Sequence, residues 1–475
     1  MLLRSHATLQ LARGKAVRTL WLIWLLVVPT TMLGQVTGLR NTLLVFVVLA
    51  TLLWCGKHSR TKLPAVGAWI LILIWCCASL LWSGAPSVTI SKLKVDLVLP
   101  FLGYWAAYAI ARKVGLVQVL AVGAIVGLVM LALLSSFVWM SSAVYPSEFE
   151  LPWWMNNYPS VLNPLPRWYP GVGDASTTAL FCAVVLMSAL VSDRIGRCGA
   201  GVGWIALVVV VTAAGNRTVV LLVPIAVLMF LWRIAPAFRQ PGLRKWSRMT
   251  WVAIIGAATI VFAMAGYVLE TAAHKRLDQL QIRHVRGESA SLQMILRDTR
   301  PYVWRYYIRL GMAAPVIGAG FGRTVPGIVY KTEDDKALAK VENNAYLHAH
   351  NIFLDWWLQT GIVGCGLFVV LISTIVTGIR RLDREAGAIG HQRSGDSSSE
   401  ESRRSRALNA GALVLIAMMI LRNLTDDFMV FGVAALFWAF LGALMGEAAT
   451  EVDAASARAK SREDGPDGLD ADQQV

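Results

Sequence analysis

Twelve runs of mainly apolar residues constrain this chain more than any other feature. They fall at 19–36, 41–56, 65–82, 94–111, 115–140, 174–192, 201–215, 218–235, 250–270, 351–378, 407–424 and 428–447. A helix needs about 20 such residues to cross ~30 Å of hydrocarbon, so the pattern predicts a polytopic membrane protein. Composition agrees: 56% of residues are apolar and 15% charged, against about 25% charged in a soluble domain. A disordered chain is excluded, and a soluble enzyme does not fit. The first run is not read as a cleavable signal, because no small-residue cleavage site follows it.

The chain is nevertheless basic, with 44 Lys and Arg against 29 Asp and Glu. Cytoplasmic loops are enriched in Lys and Arg. With the N-terminus inside, 26 basic residues fall on inner segments, six in short outer loops and twelve in the long outer stretch 271–349. Both termini are therefore expected in the cytoplasm. A basic surface split by a bilayer also argues against a nucleic-acid partner and leaves membrane lipids as one. The expected fold is all-α, with about 12 transmembrane helices and a large, partly helical outer loop between helices 9 and 10. Its parts are helices 1–9 over 1–270, the loop domain 271–349, helices 10–12 over 350–447, and a disordered cytoplasmic tail, 448–475. The stretch 393–406, RSGDSSSEESRRSR, also reads as disordered.

Two outer segments are long enough to fold. The first, 141–173, is rich in Pro, Trp and Tyr and suits either an interfacial lid or a wall contacting sugar or lipid. In the second, 271–349, helices are expected near 272–286 and 301–313. Pro301 suits a first turn, Asp298 or Thr299 a cap, and Pro315 a stop. Gly318, Gly320 and Gly322 then form a tight turn, which is weak evidence for phosphate binding by itself. The six cysteines read as packing thiols, and no Cys–His set has metal spacing. The acidic run Glu333, Asp334 and Asp335 could bind Mg²⁺ but suits solvated surface equally, so neither metal nor cofactor is expected.

Charge inside a span is costly, and few spans carry any. Asp96 and Asp355 fall near outer ends, whereas an ion-coupled transporter would place carboxylates at the midplane. Polar chemistry collects at the outer face instead. Arg217 sits in a very short turn between two spans, where poor solvation makes it seek an anion. Arg300 opens the expected 301–313 helix, and a helix N-terminus beside a guanidinium makes an anion site. Arg297, Arg305 and Arg309 stand behind it, the last two sharing a face at i,i+4. His350, where the long loop meets the next span, suits a general base, a cap or a headgroup contact. His348 points elsewhere.

Three elements in order, GNRTVVLL (215–222), RPYVWRYYIRLGMAAPVIGAGFG (300–322) and HNIFLDWWLQTGIVGCGLF (350–368), resemble motifs of the O-antigen ligase and polymerase superfamily. In this element the Arg is followed by Trp304, and His350 by Asn351 and the pair Gly361 and Gly364. The resemblance implies a glycosyltransferase of the Gram-negative inner membrane with a periplasmic active site. It would pass a glycan from undecaprenyl pyrophosphate to an acceptor, lipid A–core oligosaccharide in a ligase. By motif, Arg217 and Arg300 hold the pyrophosphate, with Arg305 and Arg309 beside them, and His350 serves the acceptor hydroxyl. His348, Asn351, Trp304 and Arg297 are accessory positions. A polymerase of the same superfamily is the second reading. Protein O-glycosylation is a third, though its members usually carry a longer C-terminal region. A lipid-linked glycan flippase or transporter is a reading of another class, but it predicts midplane polar residues and repeats that the sequence lacks.

Overall fold

The computed structural model describes residues 14–27, 37–55, 63–144, 172–214, 216–235, 300–330, 349–391, 396–425, 429 and 431–463. Regular structure among them is entirely helical. The helices are α1 (14–27), α2 (Thr37–Cys55), α3 (Val66–Ala78, extended by a 3₁₀ turn), α4 (Pro86–Val114), α5 (Val117–Val144), α6 (Val172–Val191), α7 (Arg197–Ala214) and α8 (Arg217–Ile234). They continue with α9 (Arg300–Gly311), a short α10 (Val325–Val329), α11 (Ile352–His391), α12 (Asp396–Asn423) and α13 (Phe431–Glu463). Eleven of the twelve apolar runs overlap described helices, and the run 250–270 lies outside the described residues. By length and composition, five of the described helices can cross a membrane, in α4, α5, α11, α12 and α13, and five more are shorter and apolar.

The packing centres on α13, which is buried along its apolar length and lies against α4. Small residues make this approach possible. A Cβ added at Gly442 would sit 2.3 Å from the Tyr104 carbonyl oxygen, and one at Gly446 would sit 2.5 Å from that of Tyr108. Trp69 packs on Trp438 with ring centroids 4.7 Å apart, and Tyr104 lies against both. By contrast, α11 presents many apolar side chains outward, including Ile362, Val369 and Val370, as a lipid-facing helix does.

One end of the bundle is tied by ion pairs. Arg112 pairs with Asp453 at 2.7 Å, Arg194 with Glu447 at 2.6 Å and Arg233 with Asp383 at 2.8 Å. Arg194 also meets Glu451, Arg403 meets Asp193, and Arg458 meets Glu401. These contacts correct two expectations. The 393–406 stretch is helical from Asp396, and the tail continues α13 to Glu463 instead of being disordered from 448. Composition alone reads these segments as solvated, yet their polar groups find partners across helices. Ser402 Oγ donates to the Ala386 carbonyl at 3.1 Å and Ser405 Oγ to that of Ala448 at 3.4 Å. In addition, α4 begins at Pro86, a turn or more before the expected 94.

Glu447 holds this end together. Its carboxylate accepts from the Leu116 and Val117 N–H groups, both at 2.9 Å, at the start of α5 while pairing with Arg194. Two backbone N–H donors and the paired guanidinium offset the cost of burying this side chain. Glu447→Ala should lower unfolding stability by about 3 kcal/mol, read as a depressed melting temperature in detergent. An unchanged melting temperature would remove Glu447 from this role.

Candidate functional site

At the other end of the bundle, the site is built on a broken helix. Gly361 interrupts α11 with φ 67° and ψ −173°, a conformation open essentially to glycine. The break frees carbonyls on one side and N–H groups on the other, and each set is satisfied from outside the helix. The Leu358 carbonyl accepts from Ala319 N–H at 2.8 Å, that of Gln359 from Gly320 N–H at 3.0 Å, and that of Thr360 from Trp75 Nε1 at 2.9 Å. Ile362 N–H donates to the Pro315 carbonyl at 3.0 Å and Val363 N–H to that of Val316 at 3.4 Å. Irregular backbone at a membrane face persists only where such partners exist.

The glycine turn 318–322 therefore serves this break. Gly318 N–H donates to Ala314, Phe321 N–H to Ser79 Oγ at 3.0 Å, and Gly322 N–H to Gln359 Oε1 at 2.9 Å. With Ala319 and Gly320 also committed, the turn's amides are spent within the protein. A Cβ at Gly318 would lie 2.4 Å from the Gln359 carbonyl carbon, and one at Gly320 would lie 2.6 Å from Ser83. Close packing explains the glycines, and the turn is no phosphate cradle.

The half-helix before the break carries polar side chains at intervals of four, Asn351, Asp355 and Gln359. This spacing lines one helical face, and each of the three fixes a neighbouring segment. Asn351 Oδ1 accepts from Phe353 and Leu354 N–H at 3.0 and 3.1 Å, capping the helix, while its Nδ2 donates to the Leu424 carbonyl at 2.8 Å. Asp355, 1% exposed, accepts from Ala349 N–H at 2.8 Å. His350 is thus clamped on both sides. It is largely buried, with φ +53°, a left-handed conformation that costs most non-glycine residues free energy and recurs at functional sites.

Helix α9 packs along this half-helix. Val303, Tyr306 and Tyr307 share one buried cluster with Ala349 and Leu358, and a Cβ at Gly311 would fall 2.4 Å from the Trp357 ring. Arg300 sits on the same side as Val303, Trp304 and Tyr307, by i, i+3, i+4 and i+7 spacing. Trp304 Nε1 is buried and has no acceptor among the described residues. Arg305 and Arg309 are exposed, and helical geometry turns Arg305 roughly 140° from Arg300, so the structure does not bring that pair together with Arg300.

Arg217 is the first residue of α8, after an Asn216 cap whose side chain accepts from Val219 N–H at 3.3 Å. Helix α8 packs on α12, whose end leads into Leu424 and so to Asn351. Arg297, His348 and the acidic run 333–335 lie outside the described residues. Among the described residues no group of three His, Cys, Asp or Glu side chains could hold a metal ion. Burial raises the Tyr330 hydroxyl above its ordinary value, so this tyrosine stays neutral.

Sequence reading passed over two arginines at this end. Arg422, 2% exposed, donates from Nε to Thr177 Oγ1 at 3.1 Å. Arg40, 4% exposed, rests against Gly432, where a Cβ would meet its Nη1 at 2.3 Å. The signal was the one applied to Arg217, a guanidinium at the edge of an apolar span. The polar spacing of 351, 355 and 359 was also legible.

No curated protein matches the chain. A family model described as O-antigen ligase matches residues 202–369, from within α7 to beyond the break in α11. Arg217, Arg300, the glycine turn and His350 all fall inside that stretch, so the part of the chain that carries the candidate site is similar to the O-antigen ligase family.

Proposed function

We propose that this protein transfers O-antigen polysaccharide from undecaprenyl pyrophosphate to lipid A–core oligosaccharide at the periplasmic face of the Gram-negative inner membrane. In this reading the chain crosses the membrane twelve times with both termini in the cytoplasm. The observation that carries it is the His350 turn, strained, buried and clamped by Asp355 and Asn351, with the Arg300-bearing side of α9 packed over it.

The donor brings its own leaving group, so the protein's task is charge and proton placement. His350 takes the proton from the acceptor hydroxyl as that oxygen attacks the anomeric carbon. The bond from that carbon to the pyrophosphate oxygen breaks, and the departing anion develops negative charge against fixed cations. Arg217, opening α8, and Arg300, opening α9, supply guanidinium groups backed by helix N-termini. A single displacement inverts the anomeric centre and requires no metal.

Reconstitution with lipid-linked glycan and lipid A–core, with and without each partner, tests the reading. Glycan-capped core should form in excess EDTA and only when both substrates are present. Longer lipid-linked glycan without any need for core would make the protein a polymerase. Arg217→Ala and Arg300→Ala should each lower turnover about 10²-fold or more, the usual scale for removing one transition-state charge partner. Full activity in either variant would remove that residue from the donor site.

A further inference from the structure

The outward face of α9 has a composition that the reaction does not use. Positions 305, 308, 309 and 312 are all exposed and follow one another at the i, i+3, i+4 and i+7 spacing of a single helical face. Two are arginines, and two are large apolar residues, Ile308 at 49% and Met312 at 65% exposed. The opposite side carries the buried Val303, Tyr306 and Tyr307, so α9 is already seated by one face while the other is left outward.

The apolar character does not stop at the end of the helix. Val316 is 54% exposed in the segment that follows, and Ile362 is 61% exposed on the lipid-facing α11 just beyond the break. These two surfaces are bonded together, since the Pro315 and Val316 carbonyls accept from Ile362 and Val363 N–H. The outer side of α9 thus runs through Met312 and Val316 onto the apolar flank of a membrane-crossing helix. A strip that mixes basic and apolar side chains fits the boundary between anionic headgroups and acyl chains. Arginine heads stay at phosphate level while their stems and the apolar neighbours sink.

We propose that Arg305, Ile308, Arg309 and Met312 form a docking surface for anionic phospholipid in the leaflet on the His350 side, which seats α9 at headgroup depth. The two arginines then read bilayer phosphate, and Arg300 is left for the inner face. The proposal is independent of the reaction assigned above, and its test measures depth, not turnover.

The full chain, with its six native cysteines replaced by alanine, would carry Met312→Cys or Val316→Cys labelled with a bimane fluorophore. It would be placed in vesicles of phosphatidylcholine, with or without phosphatidylglycerol. Lipids brominated near the headgroup end of the acyl chain should quench both labels, and aqueous iodide should not. Adding Arg305→Glu and Arg309→Glu should cut the lipid quenching roughly twofold or more in the vesicles containing phosphatidylglycerol, with little change in phosphatidylcholine alone. Iodide quenching without lipid quenching would overturn the proposal. So would protection that disappears in nanodiscs holding one chain each, since a second copy would then be the occupant. An equal effect of the charge reversal in both lipids would overturn the anionic partner.

Discussion

His350→Ala should abolish the O-antigen ladder while leaving lipid A–core intact and lipid-linked glycan accumulating. In a purified assay turnover should fall about 10²–10⁴-fold, the range for removing a general base. Alanine changes two things here, because it removes the imidazole and also tolerates the left-handed backbone at φ +53° less well. His350→Asn separates them, since Asn is enriched in that conformation but cannot act as the base. The Asn variant should melt close to the native temperature and be as inactive as the Ala variant. A normal ladder from either variant at normal expression would exclude His350 from catalysis. If the Asn variant alone were active, the residue would matter for its backbone and not its chemistry.

Asp355 and Asn351 bear on the same turn from a distance. Neither is assigned a bond-making role. Asp355 holds Ala349 N–H, and Asn351 joins the half-helix to Leu424. Their effect on transfer comes through the placement of His350 and the nearby chain, so losing either should lower kcat with KM little changed. The orientation of a base matters most in the transition state.

The bundle was largely legible in the sequence, because hydrocarbon demands long apolar runs and little else produces them. The errors came where that logic lapses. At 396–406 and beyond 448, polar residues look solvated when read singly, but the partners of Glu401, Arg403 and Ser405 lie far away along the chain. In the candidate site, Arg217, Arg300 and His350 were each marked in the sequence by an unusual position. Their arrangement was not, since two arginines at i,i+4 look like reinforcement of a third until the helix is turned and they face outward. The break at Gly361 was also hidden. In sequence it is one glycine in an apolar helix, and only the Pro315–Gly322 segment packed against it makes that glycine necessary.

Gly361→Ala should therefore be among the most damaging substitutions in the chain, although it adds one methyl group. The new Cβ would lie 2.0 Å from the Val316 carbonyl oxygen, on a backbone at φ 67° and ψ −173° that alanine does not adopt. Strain of this kind and a backbone clash each cost of order 1–3 kcal/mol. The relief open to the chain is to straighten α11, so that the carbonyls of 358–360 return to ordinary helical bonds. That would displace Ala319, Gly320 and the Trp75 indole, which now occupy those carbonyls, and with them the segment that leads to α9. The expected outcome is a membrane-inserted protein with a depressed melting temperature and transfer lost by about 10²-fold or more. Gly366→Ala, five residues on, is the control, because nothing lies within 4 Å of its added Cβ. In regular helix this exchange should be neutral or stabilising by up to about 1 kcal/mol. Similar behaviour of the two variants would mean that the break does not position the site.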